Sequence, residues 1–111
     1  MRTGTSGKEV RIMNLMPRNL LNKLPKLRET EGQEDPTVIC KFFYPDFSWT
    51  WYAIEFDGED LFYGYVAGDF PELGYFSLSE LKNNRGKLGL PIERDLYFNP
   101  QTLSKVKSLH E

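Results

Sequence analysis

Two short runs in this chain carry residue types that could do chemistry. Trp49-Thr50-Trp51 sets two indoles two positions apart. On a strand that spacing sends both to one side, and large aromatics there are either core or the anchors of a partner surface. Glu93-Arg94-Asp95 follows the rigid turn Gly89-Leu90-Pro91 and precedes Leu96-Tyr97-Phe98. If it is a strand, Glu93 and Asp95 share one face and Arg94 takes the other. That arrangement is either an ion-pair set, with Arg94 tied to an acid of a neighbouring strand, or the rim of a pocket for a polar ligand. A third run, Asp57-Gly58-Glu59-Asp60 with Glu55 nearby, gathers carboxylates. It does not have the twelve-residue spacing of a calcium loop, so it reads as a solvated turn.

Other chemistry is poorly supported. His110 is the penultimate residue, where a fraying tail would not hold a general base in place. Cys40 falls in mid-strand on what reads as the core face, where a free cysteine acts as a small hydrophobe. Ser77 and Ser79 read as residues of a helix start. A Ser-His-Asp or Cys-His site is therefore not expected. A single cysteine excludes an internal disulfide framework and a zinc ribbon. Gly64-Tyr65-Val66-Ala67-Gly68 lacks the pattern of a phosphate-cradling loop. No catalytic residue, cofactor or metal is expected.

The elements that would position these residues follow from periodicity. Residues 1–12 have no hydrophobic period and read as a disordered leader or tag, with Met13 a candidate second start. Residues 13–111 read as one domain. Pro17 opens a short helix whose face is Met16, Leu20, Leu21 and Leu24, and Pro25 ends it. Residues 29–36 form a polar loop. A meander over 37–67 follows. Its first strand, 37–44, alternates Val38, Cys40, Phe42 and Tyr44 against Thr37, Ile39, Lys41 and Phe43. Its second sets Tyr52, Ile54 and Phe56 against Trp49, Trp51, Ala53 and Glu55. Its third sets Leu61, Tyr63 and Tyr65 against Phe62, Gly64 and Val66. Asp57-Gly58 is a strong hairpin signal. Gly64, opposite bulky neighbours, suggests a bulge or a close approach.

Both faces of the meander are apolar, so either helices cover both or one face binds a partner. Tyr75-Phe76 reads as a short fourth strand. Ser77, Glu80, Phe76 and Leu81 form a capping box and hydrophobic staple for a second helix that stops at Gly86. A short strand is expected around 95–98. A last helix is capped by Asn99 and opened by Pro100. The fold class is α+β: a curved antiparallel sheet of three to five strands with about three short helices. The expected core is Leu20, Leu24, Val38, Phe42, Tyr52, Ile54, Phe56, Phe62, Val66, Phe76, Leu78, Leu81, Leu90, Ile92 and Leu103. The strand 37–44 is the expected free edge, available for pairing in a dimer.

Composition narrows the partners. The chain has 111 residues and a net charge of −2. That total hides a partition. Residues 1–30 carry seven bases and two acids, 31–81 one base (Lys41) and eleven acids, and 82–111 six bases and three acids. The segment nets are +5, −10 and +3. Either the basic ends fold back and neutralise the middle, or an acidic surface stays open to a basic partner. Direct nucleic-acid binding by the sheet is disfavoured, because phosphate contact needs Lys and Arg. No apolar run reaches the length of a membrane span and no signal-peptide h-region is present, so a cytoplasmic, non-membrane protein is expected. No pattern sets an oligomeric state.

Several runs resemble a bacterial family, the domain of unknown function 2958: Leu24-Pro25-Lys26-Leu27, Lys41-Phe42-Phe43, Trp49-Thr50-Trp51-Tyr52, Glu55-Phe56-Asp57-Gly58, Glu72 through Leu81, and Gly89 through Asp95. The resemblance covers about residues 15–107. It implies no cofactor or catalytic residue. It does imply a setting on plasmids, conjugative elements or phages. The function expected is a small non-enzymatic interaction module of a mobile genetic element, binding a protein through the Trp49/Trp51 face and the neighbouring acidic rim. The alternatives are an acidic DNA mimic that inhibits a nucleic-acid-binding protein, and a small-molecule binder or enzyme with a pocket of Glu93, Arg94, Asp95 and tyrosines of the meander, Tyr63 among them.

Overall fold

The computed structural model describes residues 14–111; the leader expected over residues 1–12 lies outside them. In chain order the elements are α1 (Arg18–Leu21), β1 (Thr37–Val38), β2 (Cys40–Phe43), β3 (Thr50–Phe56), β4 (Leu61–Ala67), β5 (Glu72–Ser77), α2 (Leu78–Asn83), β6 (Glu93–Arg94), β7 (Gln101–Thr102) and α3 (Leu103–Ser108). Five antiparallel strands form one sheet in the order β5-β4-β3-β2-β6, and β1 pairs with β7 in a two-stranded ribbon. The fold is α+β, as the periodicity indicates. Among the described residues no helix is long and apolar enough to cross a membrane.

Each face of the sheet carries its own core. On the first face Cys40, Phe42, Trp51, Ala53, Phe56, Phe62 and Phe76 pack against Leu78 and Leu81 of α2 and against Leu15, Met16 and Leu24 around α1. On the second face Val38, Tyr52, Ile54, Tyr65 and Ala67 pack against Leu103 and Val106 of α3. Helices therefore cover parts of both faces, which is why neither strand face reads as polar. Of the expected core, Leu20 and Val66 are half-buried, and Leu90 is 43% exposed because it sits on the tip of the turn after Gly89.

Strict alternation fails at two places. At Ile39 the chain leaves one pairing and enters another, so Val38 faces the second core while Cys40 and Phe42 face the first. In β3 the register slips between Ala53 and Glu55, a β-bulge with Ile54 as the extra residue. Beyond it Phe56 joins Trp51 and Ala53, while Glu55 shares the second face with Ile54 and Tyr63; the sequence reading had these two reversed. A period-2 pattern cannot register an inserted residue. The bulge was nevertheless announced by its partner, because Ala53 pairs with Gly64.

Other boundaries moved for local reasons. The second helix has the full Ser77/Glu80 capping box but ends at Asn83, with Asn84 extended, before Gly86 is reached. The short strand is Glu93–Arg94 rather than 95–98. The last helix is capped by the Thr102 side chain, which accepts from Lys105 N, and not by Asn99. The expected edge at 37–44 is no edge, since β2 lies between β3 and β6.

A Cβ at position 64 would sit 1.9 Å from the Tyr52 carbonyl oxygen, a backbone atom with no freedom to retreat. Gly64→Ala is therefore expected to lower stability by about 2 kcal/mol or more. A shift of the urea midpoint measures it, and an unchanged midpoint would remove the close approach as the reason for glycine.

Candidate functional site

Glu55 does not stand at a metal-binding turn. The bulge drives it inward, where it is 3% exposed. Its Oε1 accepts from Arg28 N at 2.8 Å, and its Oε2 accepts from Thr30 N at 3.0 Å and from the Thr30 hydroxyl. Burial works to raise its pKa, but these hydrogen bonds together outweigh it and hold the carboxyl below its ordinary value. Arg28 adopts φ 74°, a left-handed conformation uncommon for a side-chain-bearing residue, and its amide is thereby aimed at Glu55. The loop over 28–36 roofs a cavity of about 280 Å³ on the second face, lined by Arg28, Glu55, Tyr63, Leu73 and Tyr75 among others. Tyr63 and Tyr75 approach to 5.2 Å between ring centroids. The Tyr63 phenol is pushed up in pKa, first by burial and then by the Glu55 charge.

The two tryptophans do project to one side, with centroids 6.1 Å apart. Their environments differ. Trp51 is 7% exposed and belongs to the first-face core. Trp49 is half-buried, lies flat over Gly68 and donates from Nε1 to Asp69 Oδ1 at 3.4 Å. Tyr44 bridges from Trp51 at 5.3 Å to Phe47 at 5.6 Å. Two adjoining hollows of about 520 and 480 Å³ share Trp49 and Asp69. The first runs to Glu80 beside α2 and the second to Phe70 and Glu72. Among the described residues no Lys or Arg lines either one. Tyr44, expected as the last residue of the first strand, lies just past β2, and neither it nor Phe47 is among the site residues expected from the sequence.

Glu93, Arg94 and Asp95 do not converge. Arg94 donates from Nη1 to the Asn14 and Leu15 carbonyls, both at 2.9 Å, pinning the segment before α1 to the sheet edge. Asp95 pairs with Lys41 at 3.7 Å and accepts from Tyr97 N. Arg94 and Asp95 line a shallow hollow of about 190 Å³ that Glu93 does not reach. At the hairpin, Asp57 Oδ1 is occupied by the amides of Glu59, Asp60 and Leu61, which hold its pKa down.

His110 is better held than its position suggests. Its Nε2 lies 2.7 Å from the Tyr52 hydroxyl, and its ring packs edge-on against Tyr52. Contact with a second-face tyrosine after α3 is a tertiary fact, invisible in a penultimate residue. Burial, then Lys41, lowers the His110 pKa. Cys40 is buried, and desolvation pushes its thiol up to about 12, so it carries no thiolate near neutrality.

Two pH dependences follow. Because Glu55 titrates below its ordinary 4.5 when folded, its contribution is present above that value and is lost as pH falls through the folded value. Glu55→Gln is expected to lower stability by about 1–3 kcal/mol at neutral pH and to flatten the acid limb of a stability–pH curve. An unaltered limb would show that Glu55 is not the group responsible. His110, likewise lowered, contributes stability above 6.5 that fades below it. His110→Ala is expected to remove that inflection, read by thermal melts between pH 5 and 7, and its persistence would assign it elsewhere.

Comparison with known proteins agrees with the resemblance of the runs around Trp49, Glu55, Glu72 and Gly89. No curated protein and no solved structure matches the chain. A family model described as "Protein of unknown function (DUF2958)" matches residues 13–108. The chain therefore belongs to the DUF2958 family.

Proposed function

We propose that this domain is a non-enzymatic protein-interaction module that takes a cationic segment of a partner protein into the groove around Trp49. The observation that carries the reading is the composition of that groove: the half-buried Trp49 indole, the exposed Phe47 and Phe70 rings, Asp69, Glu72 and Glu80 beside them, and, among the described residues, no Lys or Arg in the lining. Aromatic faces attract cations, and acids on the rim favour a basic approach. At the Phe47 end, outside the lining, Lys87 Nζ lies 5.4 Å over the Phe47 ring, an instance of the same cation–aromatic contact within the chain. The setting on a mobile genetic element and in the cytoplasm rests on the family resemblance and the sequence alone.

The DNA-mimic reading draws less support. Asp35, Asp46, Glu55, Asp57 and Asp60 of the acidic segment point oxygens at backbone amides of their own chain. Those oxygens are engaged within the chain, although Asp35 and Asp57 stay exposed. The Glu93/Arg94/Asp95 pocket is weakened by the separate engagements of Arg94 and Asp95.

The test is affinity capture from element-bearing cells with wild type, Trp49→Ala, Asp69→Asn and Glu93→Gln. A partner held by wild type and Glu93→Gln, and lost from both groove variants, is the expected result. Identical partner lists for all four would overturn the reading. Trp51→Ala is a poor probe, because removing this buried indole is expected to cost about 3–5 kcal/mol of stability; a thermal melt checks that.

A further inference from the structure

We infer that the partner segment binds as an added β-strand along β5, alternating basic and apolar residues; this rests on the groove reading above and specifies how the groove is used. β5 is an edge of the five-stranded sheet. Which of its backbone groups are free follows from register. Asp57 N donates to Leu61 O, so Leu61 faces β3 and Phe62 faces β5. Phe62, Gly64 and Val66 pair with Phe76, Gly74 and Glu72, which therefore turn their backbone groups inward to β4. Leu73 and Tyr75 turn theirs outward, and among the described residues nothing is bonded to them there. An edge strand of six residues with the N–H and C=O groups of Leu73 and Tyr75 turned outward is a template for another strand.

The side chains around this edge define what strand would fit. Leu73 and Tyr75, 38% and 60% exposed, border the second-face cavity beside Tyr63, and Tyr75, on the open edge, borders the first-face hollows as well. Residues placed opposite them would project to that same face and meet Leu73, Tyr75 and Tyr63, with the polar loop over 28–34 beyond. Residues placed opposite Glu72 and Gly74 would project to the first face. There a Cβ at Gly74 would meet nothing within 4 Å, and Glu72, Asp69 and Trp49 line the hollow. Apolar side chains suit the second face and basic ones the first. The segment 68–77 holds two acids, Asp69 and Glu72, and no base. A second copy of β5 would bring two more acids and no base to meet them, so the edge is better matched to a basic partner strand than to itself.

The probe is a synthetic peptide of about nine residues alternating arginine and valine, with a glutamate-valine peptide as its counterpart. The readout is amide hydrogen exchange of the full chain together with Trp49 fluorescence. The arginine peptide is expected to slow exchange at the Leu73 and Tyr75 amides about tenfold or more and to shift the fluorescence; the glutamate peptide is expected to do neither. Leu73→Pro removes one outward N–H while sparing the β4 ladder, and is expected to abolish the effect; Leu73→Ala, which keeps the N–H, is expected to retain it. If Leu73→Pro does not fold, the wild-type exchange data alone decide. A fluorescence shift without protection at Leu73 and Tyr75 would overturn strand addition and leave the groove reading standing. No response to the arginine peptide would overturn strand addition, whereas capture lost on Trp49→Ala would still uphold the groove. Protection that rises with protein concentration and needs no peptide would overturn it in favour of self-pairing.

Discussion

The buried Glu55 carboxylate is the constraint on which the second half of the architecture depends. It is placed there by a single extra residue in β3, and it is stable there only because the chain at 28–30 brings two amides and a hydroxyl to it. An ionised carboxylate in an apolar sheet would be prohibitive without such donors. The dependence is mutual. A polar loop has no apolar face with which to dock, and this one is fixed by charge-assisted bonds to one side chain and by the Phe56 amide donating to Pro25 O. From that anchor the loop runs to Pro36, whose carbonyl accepts from Leu103 N at the start of α3. Glu55 thus links the bulge, the roof of the tyrosine cavity and the seating of the last helix.

The same device recurs and explains the uneven charge. Asp35 takes the Ser104 amide and hydroxyl at the start of α3, Asp60 takes those of Ser79 in α2, and Asp46 takes the Leu88 amide across a turn. Asp46 reaches so close to Gly86 that a Cβ there would overlap its Oδ1. The acidic segment therefore does interact with the flanking regions, though chiefly through their backbone amides rather than their Lys and Arg side chains. Carboxylates bound in this way are committed to their own backbone. Eight of the eleven acids of residues 31–81 are still exposed, and of these Asp69 and Glu72 stand beside the aromatic groove.

Features governed by near neighbours in sequence were legible. The Asp57-Gly58 hairpin, the Ser77/Glu80 capping box and the core placement of Cys40 depend on residues within a few positions of one another. Features governed by remote partners were not. The slip at Ile54 reverses Glu55 and Phe56, yet no residue type marks it except Gly64 on the next strand. Thr102 caps α3 because β7 delivers it there, and His110 is held by a tyrosine 58 positions earlier. Of the candidate site, the tryptophan pair and Tyr63 were visible as aromatic strand residues. The split between buried Trp51 and half-buried Trp49 was not, because it is set by Gly68 and Asp69 on another strand's exit.

Gly64 also connects the interior to the open edge. The bulge forces glycine at 64, and its partner across the ladder is Gly74. The centre of the β4–β5 pairing therefore has no side-chain pair on the first face, where cross-strand contacts normally add to the backbone bonds. β5 is held by its ladder, by Phe76 in the core and by Tyr75 against Tyr63. A strand held so largely by backbone bonds leaves the space above Gly74 free of side chains. The bulge that turns Glu55 inward thus also leaves room, one strand beyond its own neighbour, for a side chain that this sequence does not itself supply.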